Sequence, residues 1–413
     1  MTKLETVFEF KTIPCKFGVG ATEEIGSAVR QMKVQKVLIL CGQTVSGHTN
    51  IPEKVKTLIE RENIDVKIWD KIDPDSTTRS LEGAKIVLRE NEFDCYVGIG
   101  GGSTIATSKV IALYSTYPED FNDFIPSPIG KGKKVPGKIK PLILLPTTAG
   151  SGSEASEVAN LDFMDGSGKK KKVAILSEYL LPTLAILDPL NTISMPPKLT
   201  ASTGLDALLL AIGCYTARSY QTTTKAPSPE ERPTYRGSNP FSDLLAEESI
   251  KLIGKYIRRS YANGYDLEAR TGMLFGAHLA GLAVAKAGVH IAHAITMAIG
   301  EKVHADAGFK VASTSPACLD FIAAILPERL NRIAQWLSEE TGVSSTRVEL
   351  SASKILRRLL KDLDCPGTIT GLGLSEKDIP ELSERALKEQ RLLMQSPRFV
   401  RKEDIEGILR ASL

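Results

Sequence analysis

A chain of 413 residues exceeds one ordinary hydrophobic core, so its length predicts two domains. Apolar residues make up 42% of the chain and charged residues 24%, which is typical of a globular protein and excludes a wholly disordered one. The 52 basic and 49 acidic side chains leave a formal net charge of +3 without a basic stripe, so we expect no nucleic-acid partner.

Other features of the whole chain bear on its location. The six cysteines stand singly, without a CxxC pair, which predicts free and mostly buried thiols in a reducing compartment; they are Cys15, Cys41, Cys95, Cys214, Cys318 and Cys365. The first ten residues alternate like a strand and lack the apolar core of a signal peptide. No run reaches the roughly 18 apolar residues of a membrane span. We therefore expect a cytoplasmic protein with no membrane partner.

The first half of the chain alternates predicted strands with predicted helices. Short apolar runs that indicate buried strands cover residues 36–41, 65–69, 94–100, 141–146 and 185–188. Helical periodicity covers residues 51–62, 78–91 and 103–113 between them. The lysine run Lys169–Lys172 is most simply a solvated hairpin. Repeated strand–helix units predict a parallel sheet with helices on both faces.

The second half is dominated by helical periodicity. It covers residues 200–220, 243–262, 266–285, 289–299, 317–341, 348–363 and 376–394. A polar, proline-rich loop, residues 221–242, separates the first two of these segments. The change in pattern predicts an α/β domain over residues 1–190 and an all-α domain over residues 191–413.

A glycine-rich turn, Gly100-Gly-Gly-Ser103, lies between a predicted strand and a predicted helix. Glycines let the backbone approach a ligand closely, and the N–H groups at a helix start favour a phosphate. Ser103 can cap the helix and donate its hydroxyl to the same anion. Open α/β sheets bind ligands at the carboxyl ends of their strands, so this position favours a nucleotide site over a simple tight connection.

A second loop of small residues follows the next predicted strand. Residues 146–154 read Pro-Thr-Thr-Ala-Gly-Ser-Gly-Ser-Glu, which places two threonines and two serines among glycines. Alone, such a segment is also compatible with a flexible polar loop. Two loops of this kind after two strands of one sheet would line one crevice, and the combination predicts a nucleotide site.

Several stretches together resemble the iron-containing (group III) alcohol dehydrogenase family. Gly100–Ser103 with Lys109 is similar to the family's GGGSxxDxxK stretch, and residues 146–154 resemble its PTTxGTGSE loop. Residues 187–189, Pro196 and residues 199–208 resemble the segment that opens its helical domain. Residues 124–133 and 232–243 are similar to the hydroxyacid-oxoacid transhydrogenase branch of the family.

The resemblance implies a dehydroquinate synthase-like fold, with a Rossmann-like dinucleotide-binding domain, a helical domain and hydride transfer in the cleft between them. It implies NAD or NADP as cofactor, a small-molecule substrate and a homodimer. The residues it assigns to the cofactor are Gly100, Gly101, Gly102 and Ser103 at the pyrophosphate, Thr147, Thr148, Ser151 and Ser153 along the loop, and Lys172 near the nicotinamide. Gly42 stands where NAD-preferring members commonly carry Asp, so we expect NADP(H) to be tolerated.

The family's metal site is where this sequence departs from the pattern. Members that hold Fe or Zn use an Asp and three His, which lets a divalent ion polarise the substrate oxygen. Asp206 and His293 match two ligand positions, whereas Leu210 and Ala307 occupy the other two. Met297 replaces a further active-site His, while His304 and Asp306 lie nearby. Further departures at the family's active cleft are Ala106, Gly213, Val284 and Lys286.

Three interpretations stay open at this point. The first is an NAD(P)-dependent oxidoreductase of a small alcohol, aldehyde, hydroxy acid or keto acid without a tightly bound metal. Protonated His293, His290 or Lys286 would then act as electrophile or general acid. The second is a metal-dependent alcohol dehydrogenase with substituted ligands. The third is a non-catalytic subunit that binds a cofactor or a partner.

Overall fold

The computed structural model describes residues 3–74, 77–127, 129–164, 170–339 and 351–413. Packing divides the chain into two compact units, and each is described by itself. The α/β unit comprises Thr12–Thr148 and Gly152–Met195. The helical unit comprises Met1–Lys11, Ala149–Ser151 and Pro196–Leu413.

The α/β unit is built on a six-stranded sheet in which every described pair of neighbours is parallel. Its strands are β1 (Cys15–Phe17), β2 (Lys36–Cys41), β3 (Asp65–Trp69), β4 (Cys95–Gly100), β5 (Leu142–Pro146) and β8 (Leu184–Leu187), in the order β1-β8-β5-β4-β2-β3. A separate antiparallel hairpin pairs β6 (Val158–Met164) with β7 (Lys170–Leu176). The helices of this unit are α1 (Ile25–Gln31), α2 (Gln43–His48), α3 (Ile51–Glu60), α4 (Thr77–Glu90), α5 (Gly102–Thr116) and α6 (Phe121–Phe124).

Alternate strand residues fill two cores on opposite faces of this sheet. Val37, Ile39 and Val97 share one core with α1 and α3, whereas Leu38 and Leu40 share the other with α4, α5 and the hairpin. Because both faces are covered, the strands are apolar on both sides, as the continuous apolar runs predicted. The predicted parallel, Rossmann-like α/β architecture is confirmed.

The helical unit contains ten described α-helices. They are α7 (Pro197–Tyr215), α8 (Pro240–Ala262), α9 (Leu267–Ala287), α10 (Ile291–Lys302), α11 (Ala307–Ile322), α12 (Pro327–Glu339), α13 (Ala352–Asp362), α14 (Ile379–Leu387), α15 (Gln390–Leu393) and α16 (Lys402–Arg410). The all-α character predicted for this half is confirmed. Of the described chain, no single helix is long and apolar enough to cross a membrane, although α9 and α10, bent by 101°, pass that test as a pair.

Three predicted elements are wrong in detail. Residues 317–339 do not form one helix, because the chain breaks after Ile322 and a new helix begins at Pro327, whose missing N–H suits a first turn. Residues 376–394 divide into a short 3-10 turn, α14 and α15. The N-terminal segment is not a strand within its described part: only Leu4 bridges to Thr224. Residues 340–341 and 348–350 of the predicted helices, and Lys169 of the lysine run, lie outside the described residues.

The N-terminal segment groups with the helical unit, which differs from the predicted division at residue 190. The Glu5 carboxylate pairs with the Arg232 guanidinium at 3.0 Å, and the Glu5 N–H donates to the Thr223 carbonyl at 2.9 Å. Glu5 and Arg232 are both well buried, so this pair fixes the segment to the loop before α8. The exact boundary between functional domains stays a prediction.

Candidate functional site

The glycine-rich turn joins β4 to α5 at the carboxyl edge of the sheet. Gly101 is the residue that precedes α5, so the first N–H groups of this 15-residue helix have no carbonyl one turn before them. A Cβ at Gly100 would lie 2.7 Å from the Thr104 side chain, and therefore only glycine fits there. The expected cap by Ser103 is wrong: Ser103 is the second helical residue and its side chain is exposed.

The second predicted loop lies directly beside this turn. The Thr147 N–H donates to the Gly100 carbonyl at 3.0 Å, and Gly100 is the register partner of Pro146. A Cβ at Gly101 would lie 3.3 Å from the Thr148 hydroxyl oxygen. The structure thus brings together Gly100, Gly101, Thr147 and Thr148, which were predicted as one site. Gly102 and Ser103 follow at the start of α5.

Lys109 holds the far end of that loop in place, a role that the sequence motif did not reveal. Its Nζ donates to three backbone carbonyls, those of Ser153 at 2.7 Å, Ser156 at 2.6 Å and Val158 at 3.0 Å. Burial lowers the pKa of Lys109 to about 7, whereas the carboxylates of Glu154 and Glu157 act to raise it. An ammonium has three N–H groups, so the three carbonyls satisfy it completely.

A carboxylate lies near Gly42, the residue that directly follows β2. Asp70 directly follows β3, the neighbour of β2, and accepts a hydrogen bond from the Ser46 hydroxyl of α2 at 3.0 Å. Burial raises the pKa of the Cys41 thiol to about 12, and the negative charges of Asp70 and Glu53 contribute to that rise. Both negative charges therefore act at the end of β2. Asp70 directly follows the predicted strand over residues 65–69, and this position at a strand end was the signal for its carboxylate.

Lys172 lies on the hairpin in an ion pair. Its Nζ is 2.6 Å from the Asp162 carboxylate, its register partner on β6. Lys172 is therefore held on the hairpin by Asp162, and its expected role near a nicotinamide stays a prediction.

In the helical unit, Asp206 lies on α7 with Leu210 one turn later. The first turn of α11 packs closely against this part of α7: a Cβ at Gly308 would lie 1.8 Å from the Ser202 carbonyl and 3.1 Å from the Asp206 nitrogen. Gly308, which directly follows Ala307 in the chain, therefore lies next to the Asp206 backbone. Burial raises the pKa of Asp206 to about 6, and the positive charge of Lys310 opposes that rise.

The loop segment Ala149–Ser151 also packs in the helical unit. A Cβ at Gly150 would lie 2.8 Å from the Thr203 Cβ and 3.1 Å from the Thr203 carbonyl. Thr203 precedes Asp206 by three residues on α7, so the two lie on one helical face. The segment that contains Ser151 is thus placed beside the α7 turn that leads to Asp206.

His290 and His293 lie at the start of α10 and line one pocket together with Thr216 and Ser315. His290 Nε2 is 2.8 Å from the Thr216 hydroxyl, while His290 Nδ1 and His293 Nε2 are buried without a hydrogen-bond partner among the described residues. Burial lowers the pKa of His290 to about 4, and burial with the charge of His290 lowers that of His293 to about 3. These lowered pKa values favour neutral rings, whereas the catalytic roles expected of His290 and His293 stay predictions.

Of the remaining predicted residues, Gly213 lines this pocket, whereas Lys286, His304 and Ala307 are not among its lining residues. Lys286 is buried near the end of α9. Its charge acts on the Glu9 carboxylate: burial acts to raise the pKa of Glu9, whereas Lys11, Arg236 and Lys286 together hold that pKa below its usual value. Gly213 lines the pocket, whereas His304 and Ala307 are exposed. Within the described ranges, no three His, Cys, Asp or Glu side chains lie close enough together to hold a metal ion.

Comparison with known proteins covers both halves of the chain. A family model described as iron-containing alcohol dehydrogenase matches residues 14–189, and one described as Fe-containing alcohol dehydrogenase family, C-terminal, matches residues 233–413. The chain belongs to the iron-containing alcohol dehydrogenase family. Members of this family are oxidoreductases, so this chain is an enzyme of that class.

Curated relatives place the chain on one branch of the family. The mitochondrial hydroxyacid-oxoacid transhydrogenase of Bos taurus is 34% identical, with 98% of this chain and 90% of the relative covered. The human protein of the same name is 33% identical over the same shares. Among solved structures, 1,3-propanediol oxidoreductase has a TM-score of 0.86 and 25% identity over 99% of this chain and 100% of that chain. The iron-containing alcohol dehydrogenase fold is confirmed.

One expectation about location is wrong. These transhydrogenase relatives are named as mitochondrial proteins, which contradicts the cytoplasmic location expected from the sequence. Free cysteines and a nearly neutral charge indicate a reducing compartment, and they do not distinguish the cytoplasm from the mitochondrial matrix. The cysteines themselves are all free, and four of the six are buried, as predicted. The homodimer stays a prediction.

Proposed function

We propose that this enzyme is an NAD(P)-dependent oxidoreductase that works without a bound divalent metal and interconverts a hydroxyl and a carbonyl on a small hydroxy acid or oxo acid. A carbonyl accepts a hydride from NAD(P)H and a proton from the site, which gives the alcohol and NAD(P)+. The name of the transhydrogenase relatives supports hydroxy and oxo acids as the substrate class. The observation that carries the proposal is the pairing of the two glycine- and hydroxyl-rich loops.

The cofactor assignment rests on the cradle at the β4–α5 turn. Gly100 allows the Thr104 side chain to lie 2.7 Å from where a Cβ would be, and Gly101 allows the Thr148 hydroxyl to lie 3.3 Å from the corresponding point. The unpaired N–H groups and the positive dipole end of α5 favour a pyrophosphate at this point. Residues present in the α/β unit therefore fit a dinucleotide, with Thr147, Ser153 and the Lys109-anchored loop forming one wall.

For the cofactor's ribose, we propose a preference for NAD(H) over NADP(H). Gly42 carries no carboxylate that would repel a 2′-phosphate, but Asp70 supplies one at the same end of β2. An acidic side chain at such a strand end accepts hydrogen bonds from a ribose 2′-hydroxyl and repels a 2′-phosphate. Asp70 therefore takes the role that Gly42 cannot perform.

The metal-free assignment rests on the donor set in the helical unit. Asp206 and His293 occupy two family ligand positions, while Leu210 and Ala307 have no donor atoms. Two protein ligands do not hold Fe²⁺ or Zn²⁺ in the way that three- and four-ligand sites do. The residues present do not fit a divalent ion. His290 and His293, as neutral rings, can still donate one N–H each to a substrate oxygen.

Binding of nicotinamide cofactor tests the proposal. We expect NADH to quench the intrinsic tryptophan fluorescence of the purified protein or to show enhanced emission of its own, with saturation at micromolar to millimolar concentration. Thr148→Val with Gly101→Val should abolish binding, because the added methyl groups fill the cradle; Thr116→Val, at the other end of α5, is the control. Absence of binding by both NADH and NADPH would refute the function. Stoichiometric iron or zinc in the purified enzyme would instead favour the metal-dependent alternative.

A further inference from the structure

Thr216 connects the ring of His290 to the backbone of α7 through two short hydrogen bonds. The Thr216 hydroxyl oxygen lies 2.7 Å from the Ile212 carbonyl oxygen, one turn earlier in the chain, and 2.8 Å from His290 Nε2. Thr216 is fully buried and His290 is only 5% exposed. Both residues line the same pocket, so the hydrogen bonds of Thr216 decide which groups the His290 ring offers to a ligand.

The Thr216 hydroxyl has a single proton, and the two distances show where that proton lies. Two oxygen atoms 2.7 Å apart repel each other unless a proton lies between them, and a carbonyl oxygen has no proton to give. Thr216 therefore donates to the Ile212 carbonyl, and its oxygen accepts a hydrogen bond from His290. The proton on His290 Nε2 makes this second hydrogen bond.

The other ring nitrogen of His290 has no such contact. No carboxylate is among the residues that line the pocket, and Nδ1 is buried without a hydrogen-bond partner in the described part of the chain. A second proton on the ring would therefore bury an unpaired charge, which costs far more than burial of a neutral ring. A neutral ring with its one proton on Nε2 leaves Nδ1 as a hydrogen-bond acceptor.

We propose that Thr216 is a positioning residue that holds His290 as its Nε2–H tautomer, so that His290 accepts a hydrogen bond from a hydroxyl group bound in this pocket. The assignment of that hydroxyl to a hydroxy acid rests on the proposed function and makes it more specific. Of the two N–H donations that neutral rings allow, the one from His290 is already made to Thr216. His293 alone is left to donate to a ligand oxygen.

This arrangement selects a hydroxyl over a carbonyl at His290. Most of the lining residues are apolar, and the Ser315 hydroxyl already donates to the Val311 carbonyl at 2.7 Å. A ligand hydroxyl has a proton to donate to Nδ1, whereas a carbonyl oxygen only accepts and would place two acceptors together. His290 therefore recognises the hydroxy acid and not the oxo acid.

Nitrogen-15 NMR of the full chain with labelled histidines reads the tautomer without any assay of activity. In a neutral ring the bare nitrogen resonates far downfield of the protonated one, and His290→Gln identifies the His290 signals by their loss. We expect the wild type and Thr216→Ser to show Nδ1 bare and Nε2 protonated at neutral pH. Thr216→Val should lower the ratio of the Nε2–H to the Nδ1–H tautomer about fivefold, because it removes one neutral hydrogen bond. Thr271 also donates to the carbonyl one turn earlier, so Thr271→Val is the matched control and should leave the ratio unchanged.

Ligand titrations in the same experiment test the recognition step. We expect 2-hydroxybutyrate to shift the His290 Nδ1 signal upfield, as a lone pair that accepts a hydrogen bond does, and 2-oxobutyrate to leave it in place. Circular dichroism establishes that each variant is folded. A wild-type ring protonated on Nδ1, an unchanged tautomer ratio in Thr216→Val, or no Nδ1 shift with the hydroxy acid would overturn the proposal.

Binding of NADH separates this inference from the proposed function. If NADH fails to bind while the His290 signals behave as expected, the proposed function fails and the role of Thr216 stands. If NADH binds and the His290 signals contradict the expected tautomer or the expected response to the hydroxy acid, only the present inference fails.

Discussion

His290 and His293 are close neighbours at the start of α10, and burial keeps both rings neutral. Their pKa values, about 4 and about 3, lie below the ordinary value of 6.5. In the unfolded chain both rings take up protons as the pH falls below about 6.5, whereas in the folded chain they do so only near pH 4 and below. Lowering the pH through this window therefore favours the unfolded state.

The first prediction concerns the pH dependence of stability. Between pH 7 and pH 5, we expect the wild type to lose on the order of 2 kcal/mol of unfolding free energy for each histidine, beyond any loss from other groups. The variant His290→Gln/His293→Gln lacks both rings, so its unfolding free energy should fall less over the same interval, by the amount expected for the two histidines. Urea unfolding at both pH values measures the difference, with His48→Gln, an exposed histidine, as the control. Identical pH dependence in wild type and double variant would show that the rings are not held neutral.

Lys109 yields a second prediction. Lys109→Met removes an ammonium that serves the carbonyls of Ser153, Ser156 and Val158, and it leaves those buried acceptors unpaired. Loss of such hydrogen bonds costs about 1–3 kcal/mol each, so we expect a destabilisation of several kcal/mol and weaker NADH binding. Lys134→Met, at an exposed position, should change neither quantity. Thermal unfolding with NADH titration measures both, and an unchanged melting temperature for Lys109→Met would contradict the anchoring role.

Asp70 yields a third prediction, on cofactor preference. Asp70→Asn removes the carboxylate at the end of β3 and should raise the ratio of NADPH to NADH affinity at least tenfold. Asp65→Asn removes the same charge from the opposite end of β3 and should leave the ratio unchanged. Fluorescence titration with each cofactor gives the ratio. A wild-type enzyme that binds NADPH more tightly than NADH would show that Gly42, and not Asp70, sets the preference.

Helix α11 packs closely against helix α7 in the region of Asp206. A Cβ at Gly308 would overlap the Ser202 carbonyl, so Gly308→Ala must push the two helices apart. We expect a loss of about 1–3 kcal/mol in stability, as for overpacked cores. Gly407→Ala, on α16 with open space around it, should instead stabilise by about 0.5–1 kcal/mol. Equal effects in chemical denaturation would refute the packing argument.

The sequence predicted the strands of the sheet closely and the helices less well. Residues 36–41 and 65–69 form β2 and β3 as predicted, because a strand buried on both faces requires a continuous apolar run. The break between α11 and α12 was missed, since apolar periodicity continues through residues 323–326 while the backbone does not. Pro327 was the available signal for a new helix.

The candidate site was predictable in part. The glycine and threonine loops carry local signals, because close backbone approach demands glycine and anion binding demands donors. The roles of Asp70 and Lys109 depend on which side chains contact one another in the folded chain, and the spacing of residues in the sequence does not predict those contacts. Burial likewise decides that the histidines are neutral, and burial is a property of the folded chain.

Two statements hold for the whole molecule. It has the fold and the paired loops of the iron-containing alcohol dehydrogenase family, and we propose that its helical unit lacks two of the family's four metal ligands. The central claim is therefore that nicotinamide-dependent chemistry proceeds here without a divalent ion. We therefore expect a metal-dependent relative to lose activity when its metal ion is chelated, and this enzyme to keep its activity.

The rate of NADH oxidation with a small 2-oxo acid, measured before and after exhaustive treatment with EDTA, tests this claim most directly. We predict the same rate in both states and no increase on addition of Fe²⁺ or Zn²⁺. A rate that falls to background in EDTA and returns with either ion would contradict the account.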